Sequence, residues 1–257
     1  MMDALTGITP LYVDRVEAGG FLAERLKHLR GKDVVVLGLP RGGVVVAGEV
    51  SWALDALLDV VVVRKLGVPF HPELAMGAVG EGDVRVLNRE ILESIGVTEE
   101  ELAVIEARER AAVERSARRL RADQPPIPIA GRIAVVVDDG IATGSTALAA
   151  CRVVRARGAS RVVLAAPVAP AHWVVGAGRV ADEVACPATP DVFPGVSAFY
   201  RDFPETTDAE VVDCLRRHGL PAPAPPVRWL VGPVPRRSGE EAGRVLTSGR
   251  SSLSPSR

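Results

Sequence analysis

Four stretches of the chain run almost without a polar residue: Val34 to Leu39, Asp59 to Val63, Arg132 to Val137 and Arg161 to Val168. β-Branched residues dominate all four, and none alternates apolar with polar positions. Each therefore predicts a strand covered on both faces, as in a parallel sheet with helices on either side. The segments between them carry the helical period. Gly43 to Leu58 places apolar residues at helical spacing, and Ser145 to Arg157 follows its strand after a Gly-containing turn and stops at Gly158. Strand, turn and helix repeat as βαβ units, which makes the fold α/β, a Rossmann-like parallel sheet flanked by helices. Leu11 to Arg30 reads as an amphipathic helix ending at Gly31, packed on the sheet edge or within an appended cap. Thr98 to Arg121 reads as a long helix opened by a Thr98/Glu101 capping box, with Glu106–Arg110 and Glu114–Arg118 spaced i,i+4 along a solvated face.

Glu73 to Asn88 is glycine-containing, holds a short predicted strand at Val84 to Leu87, and lies where an α/β enzyme carries a mobile flap. From Gly219 the pattern changes: the remaining residues hold seven prolines, six Arg against two Glu, and end in SSLSPSR. The expected organisation is an α/β domain over residues 1–218 and a Pro/Arg/Ser-rich tail over 219–257, disordered by composition.

Composition narrows the classes. A 257-residue chain can bury roughly 70–75% of its unfolded surface, so it needs no disulfide or metal staple. Aromatics are 4%, so the core is aliphatic. The net charge of −1 lacks the basic footprint of a nucleic-acid binder, so any polyanion bound is expected to be small. Cys151, Cys186 and Cys214 are odd in number and far apart, which fits reduced thiols rather than a secreted framework or a zinc site. The N-terminal MMDALTGITP has no basic flank followed by an apolar run, and no stretch approaches the roughly 18–20 apolar residues of a membrane span. A cytoplasmic protein with no membrane role is expected.

One segment carries chemistry: Val135, Val136, Val137, Asp138, Asp139, Gly140, Ile141, Ala142, Thr143, Gly144, Ser145, Thr146. An apolar strand delivers two carboxylates to its carboxyl end, and a loop of small residues then enters a helix, the place where α/β sheets bind ligands. The N–H groups of the loop and first helical turn, with the hydroxyls of Thr143, Ser145 and Thr146, can surround a phosphate. The carboxylates would repel that phosphate; they suit sugar hydroxyls a few ångströms away and a Mg²⁺ held through its waters. Phosphate, diol and metal together point to a phosphorylated ribose. A Walker A loop is excluded because no lysine follows Gly144, and the G-x-G-x-x-G dinucleotide fingerprint is absent from this loop.

Segment 135–146 resembles the 5-phosphoribosyl-1-pyrophosphate (PRPP) signature of the type I phosphoribosyltransferases. Over roughly residues 10 to 215 the chain is also similar in order to a stand-alone bacterial phosphoribosyltransferase-like group of unassigned substrate. The resemblance implies the type I fold, with a flexible loop and a small hood. It implies that Asp138 and Asp139 engage the ribose 2′- and 3′-hydroxyls and hold Mg²⁺, and that Ile141, Ala142, Thr143, Gly144, Ser145 and Thr146 bind the 5′-phosphate. Leu39-Pro40-Arg41-Gly42-Gly43 looks like the family's pyrophosphate loop, with Arg41 supplying charge-assisted bonds to the leaving group and the glycines exposing N–H groups. Arg64 and Lys65, expected at the carboxyl end of the strand over 59–63, add positive charge for pyrophosphate; which of them points inward is open.

The resemblance also implies that a flap over His71 to Arg89 closes on PRPP, with Glu73, Arg85 and Arg89 as its charged residues. Phe193, Phe199, Tyr200 and Phe203 either stack on a flat base or form a small satellite core. The expected activity is Mg²⁺-dependent transfer of 5-phosphoribosyl from PRPP to a small-molecule nitrogen nucleophile, nucleobases among the candidates, with release of pyrophosphate. Asp138, Asp139, Arg41 and Lys65 are the expected catalytic residues. The alternative is a PRPP- or nucleotide-sensing protein that keeps the loop without transfer. The acceptor is unassigned, and a homodimer is compatible with the fold.

Overall fold

The uninterrupted apolar runs form the middle of a parallel sheet. A computed structural model describes residues 9–68 and 71–218, and the tail expected over 219–257 lies outside the described residues. In chain order the elements are α1 (Arg15–Leu26), β1 (Val34–Gly38), α2 (Gly42–Leu54), β2 (Leu57–Val60), β3 (Val63–Val68), β4 (His71–Gly80), β5 (Arg85–Leu87) and α3 (Arg89–Ile95). There follow α4 (Glu99–Arg121), β6 (Ile133–Val137), α5 (Ser145–Ala156), β7 (Arg161–Ala165), α6 (Ala171–Ala177), β8 (Glu183–Ala185) and α7 (Asp208–His218).

Five strands pair in parallel in the order β2-β1-β6-β7-β8. The alternation of the pleat explains why their sequences do not alternate in polarity. Val34, Val36, Val135, Val137 and Val163 face one layer with α1, α2 and α7, while Val35, Leu37, Ala134, Val136 and Leu164 face the other with α5. Both faces of the central strands β1 and β6 are dry, so every position in those two is apolar.

Several boundaries differ from the sequence reading: α1 spans Arg15–Leu26 rather than Leu11 to Arg30, and β7 ends at Ala165 rather than Val168. α2 stops at Leu54, four residues early, because Asp55 turns left-handed with φ 53° and its N–H caps Ser51 and Trp52. That frees Leu57–Val60 to pair with β1, and β2 ends before Val63. Arg64 and Lys65 therefore do not close a parallel strand. They lie in β3, the first strand of a separate antiparallel sheet, β3-β4-β5. The segment expected as a loop-like flap is mostly strand: β4 and β5 pair in register from Gly77↔Leu87 to Val79↔Arg85. Its inner face is sealed by Leu66, Met76 and Val79, all buried.

α4 begins as expected: Thr98 Oγ1 accepts from Glu101 N–H at 3.2 Å and Glu101 accepts from Thr98 N–H at 3.0 Å. Glu106 pairs with Arg110 at 2.7 Å, whereas Glu114 and Arg118 form no ion pair. The charged face is not simply solvated, because Glu106 also takes Arg85 of β5 at 3.0 Å and so ties the second sheet to α4. Arg85 is thereby directed to α4, and Arg89 is an exposed first residue of α3. Residues 11–13 cross to the segment before α7: Leu11 and Tyr12 donate to the Phe199 carbonyl, and Tyr12 and Val13 accept from Arg201 and Asp202 at 2.9 and 2.8 Å. Tyr12, Phe199, Tyr200 and Val168 form a small core of their own. The aromatic cluster is thus a satellite core.

Candidate functional site

β6 ends at Val137, and its hydrogen bonds to neighbours on both sides, Leu39 N–H to Val137 O at 2.8 Å and Asp138 N–H to Ala165 O at 3.1 Å, fix where the acidic pair emerges. Asp138 and Asp139 are each half-buried. Asp139 N–H donates to Asp138 Oδ1 at 3.0 Å. Its own carboxylate accepts from Arg15 Nε at 2.8 Å, and its carbonyl accepts from Tyr200 OH at 2.5 Å. Arg15 is held in turn by the Pro204 carbonyl at 2.7 Å and by the Phe203 ring, 3.7 Å from its centroid.

Burial raises the Asp138 carboxyl to about 8, and the neighbouring Asp139 charge adds to the shift. Burial also raises Asp139, with Arg15 pulling in the opposite sense. Two carboxylates side by side with one partial counter-ion hold less than two negative charges at neutral pH. Such a pair is short of positive charge.

Beyond the pair the chain turns sharply. Gly144 has φ 70° and precedes the first residue of α5, and a side chain there would meet Trp173 Nε1 at 1.8 Å. Glycine is required on both counts. No side chain caps α5, so its first-turn N–H groups stay available to an anion. Ala142, Thr143 and Thr146 are exposed and Ser145 half-buried, with the Thr143 and Ser145 hydroxyls 3.5 Å apart. Ile141 is buried in the core, so only its backbone can face a ligand.

The Pro40-Arg41-Gly42-Gly43 turn abuts the acidic pair. Gly42 and Gly43 are the first residues of α2, without positive φ, so conformational freedom is not why they are glycines. Proximity is the reason: a Cβ on Gly42 would meet Asp139 Oδ2 at 1.9 Å, and one on Gly43 the Val137 carbonyl at 2.7 Å. Arg41 caps the other side of this turn and pairs with Glu205, with Asp208 Oδ1 3.9 Å away. Arg41, Arg64 and Thr146 line one cavity of about 360 Å³. Lys65, half-buried, lines a neighbouring cavity of about 960 Å³ that also includes Arg64 and Thr146. The fold thus brings Arg41, Arg64, Lys65 and the start of α5 to one side of the sheet's carboxyl edge. The side chain of Glu73 lies outside the described residues.

Residues 15–177 match the model of the phosphoribosyl transferase domain. The chain belongs to the phosphoribosyl transferase domain family. A Mycobacterium tuberculosis (strain ATCC 25618 / H37Rv) protein named "Putative phosphoribosyl transferase Rv0571c" is 50% identical over 239 residues, 88% of this chain and 54% of that one. Its counterpart in strain CDC 1551, MT0597, matches equally. This phosphoribosyl transferase domain chain therefore spans about half the length of these curated relatives. The crystal structure of TT1426 from Thermus thermophilus is 44% identical with a TM-score of 0.75, over 81% of this chain and 99% of that one.

Four contributors to the site escape a reading of local motifs. Arg15 and Trp173 come from segments distant in sequence, and nothing in their surroundings marks them; Tyr200 is legible only as a member of the aromatic cluster, not as a partner of the acidic pair. Arg119, on the solvent side of α4, lines the same cavity as Arg41. Only its position at the basic end of a helix that reaches the sheet edge gives a signal.

Proposed function

We propose that this chain is a Mg²⁺-dependent phosphoribosyltransferase that moves 5-phosphoribosyl from PRPP to a small nitrogen nucleophile, a nucleobase being the first class to test, and releases pyrophosphate. The observation that carries the reading is the half-buried, charge-deficient Asp138/Asp139 pair placed directly before an uncapped helix N-terminus. In this reading the α5 N–H groups with Thr143, Ser145 and Thr146 take the 5′-phosphate, and the carboxylates accept from the ribose diol. Arg41 with the Gly42 and Gly43 backbone, joined by Arg64 and Lys65, takes the pyrophosphate.

Asp138 and Asp139 fit a Mg²⁺ ion, because burial disfavours their ionised forms, Arg15 offsets this only in part, and a cation beside the pair would restore both charges. No group of three or more His, Cys, Asp and Glu among the described residues could cage a metal. The fit is therefore of the kind in which two carboxylates share the ion with water and substrate oxygens. When bound, the ion neutralises charge on the pyrophosphate. The chain's own work is positioning: carboxylates at the ribose favour positive charge growing at C1′, while Arg41 and Lys65 favour negative charge growing on the departing group.

Calorimetric titration of PRPP with Mg²⁺ into the wild type and into the Asp138→Asn/Asp139→Asn double variant tests the ligand. Binding by the wild type and none by the folded variant is expected, and Asp139→Asn alone should abolish pyrophosphate release against any accepted base. PRPP binding without release against all bases would establish the sensing alternative. No PRPP binding by the wild type would overturn both.

A further inference from the structure

The cationic bay beside the Arg41 turn is already occupied by carboxylates of the chain itself. Arg41, at the end of the β1–α2 turn, pairs with Glu205. Asp208, the first residue of α7, bridges two guanidinium groups: its Oδ2 lies 2.5 Å from Arg119 Nε and its Oδ1 3.9 Å from Arg41 Nη1. A single anion with an oxygen toward each of two arginines is the arrangement that a phosphoryl group adopts between the same cations. The cavity there, about 360 Å³, is walled by Arg41, Arg64, Arg119, Thr146 and Asp208 among others. It is large enough for a diphosphate and too small for a folded partner. Of its three arginines, Arg64 makes no hydrogen bond or ion pair with any described residue, so the bay keeps an excess of positive charge even with Asp208 in place.

The acids are placed by a device that does not depend on those pairs. Thr207 and Glu210 form a capping box, with Glu210 N–H donating to Thr207 Oγ1 at 3.2 Å and Thr207 N–H to Glu210 at 2.7 Å. That box fixes the first turn of α7 and presents Asp208 to the bay, while Glu205 sits in the preceding loop, 80% exposed. The pairs themselves are solvent-reached, with Arg119 60% and Asp208 33% exposed. Exposed ion pairs are weak and exchange readily for a better anion.

We propose that Glu205 and Asp208 are built-in counter-anions of this bay, that a pyrophosphate group binds by displacing them from Arg41 and Arg119, and that Arg119 is a further pyrophosphate-binding residue. The two acids then set the affinity: they keep the arginines oriented in the free protein and weaken the hold on pyrophosphate by competing for them. The proposal rests on the functional reading above for the identity of the anion, but its test uses inorganic pyrophosphate and leaves Asp138 and Asp139 untouched.

The experiment is calorimetric titration of inorganic pyrophosphate with Mg²⁺, at fixed ionic strength, into the wild type, Glu205→Gln, Asp208→Asn, the Glu205→Gln/Asp208→Asn double variant and Arg119→Gln. Each carboxylate removed should tighten binding by about two- to five-fold, the range expected of an exposed ion pair, and Arg119→Gln should weaken it by a similar factor. Thermal denaturation of each variant accompanies the titration, and Glu205→Gln, at an exposed loop position, keeps the test open should Asp208→Asn unfold. Removal of a contact that is merely structural would leave affinity unchanged or lower. Unchanged or weaker binding in Glu205→Gln and the double variant, or unchanged binding in Arg119→Gln, overturns the proposal. So does a wild type and double variant that both fail to bind pyrophosphate. PRPP binding abolished by Asp138→Asn/Asp139→Asn alongside unchanged affinity in the Glu205 and Asp208 variants would refute the counter-anions and leave the transferase reading standing.

Discussion

Arg121→Met should be among the most damaging single substitutions in the chain although it touches no part of the candidate site. Arg121 ends α4 with its side chain 5% exposed, donating from Nε to Asp59 Oδ1 at 2.6 Å, from Nη2 to the Val60 carbonyl at 2.8 Å, and to Glu81. Asp59 is equally buried, and its other oxygen accepts from Ile127 N–H at 2.9 Å. Glu81 accepts in addition from Val62 N–H at 3.2 Å. Burial alone lowers the guanidinium's pKa, and the bonds and charges of Glu81 and Asp59 more than reverse it, so Arg121 stays charged.

Methionine fills the arginine's stem but leaves two carboxylates facing each other in a dry junction, a loss of about 3–5 kcal/mol, or roughly 10 °C in Tm for a domain of this size. The sign of the pH effect follows. The penalty is that of two buried negative charges left without their cation, so it is smallest in acid, where protonation removes them, and grows as pH rises toward 7. Urea denaturation of wild type and variant at pH 5 and pH 7 measures this. Asp59→Asn and Glu81→Gln added to Arg121→Met should recover at least half of the loss. A deficit under about 1 kcal/mol at pH 7, or one that does not shrink at pH 5, would refute the account of the junction.

Asp138→Asn should stabilise the free protein while it damages the site. A carboxyl raised from 3.8 to about 8 sets a ceiling of about 4 kcal/mol at pH 7, and solvent reaching the half-buried pair brings the expected gain to about 1–2 kcal/mol. Because the folded pKa lies above the unfolded one, wild-type stability is full below the unfolded value and falls toward pH 8; the gap to the variant should widen over that window in urea titrations. Gly42→Ala should leave the fold intact and lower kcat/KM by about a hundred-fold, since its Cβ would lie 1.9 Å from Asp139 Oδ2 and must displace that carboxylate. Arg15→Gln, which removes the cation paired with Asp139, should raise that carboxyl's pKa further and move the acid limb of the rate profile to higher pH, an effect that a purely structural role for Arg15 would not produce.

The parts of this molecule legible in sequence are those that a local rule determines. Val34–Gly38 and Ile133–Val137 read as doubly covered strands because both of their faces are buried, and the Thr98/Glu101 capping box marks the start of α4 because its two hydrogen bonds are made within one turn. The errors fall where a distant contact overrides a local one. The pattern alone carries α2 through Leu58, since no proline interrupts it. Asp55 instead takes a left-handed turn that glycine marks more often, and β1 claims Leu57–Val60 as a neighbouring strand. The glycines of 77–82 suggest a loop, yet Gly77 sits where a Cβ would meet the Val86 carbonyl at 2.5 Å, a close approach of two paired strands.

The same division runs through the site. Most of the groups proposed to face the ligand lie in two short segments, 39–43 and 138–146, and short segments are what a motif can record. Its electrostatics are set from elsewhere. Arg15 reaches Asp139 across 124 positions, Tyr200 reaches the Asp139 carbonyl across 61, and Glu205 and Asp208 neutralise Arg41 from beyond the satellite core. Arg15, Phe203 and Tyr200 also pack on one another's supports, so the aromatic cluster, in sequence a candidate base platform, acts on Asp139 through the arginine that it holds. Two chains with the same 138–146 segment and different residues at 15, 200, 205 and 208 would therefore share the ligand-facing groups and differ in charge. On this reading affinity and pH dependence belong to those distant positions, and substitutions there should move both properties without touching the loop.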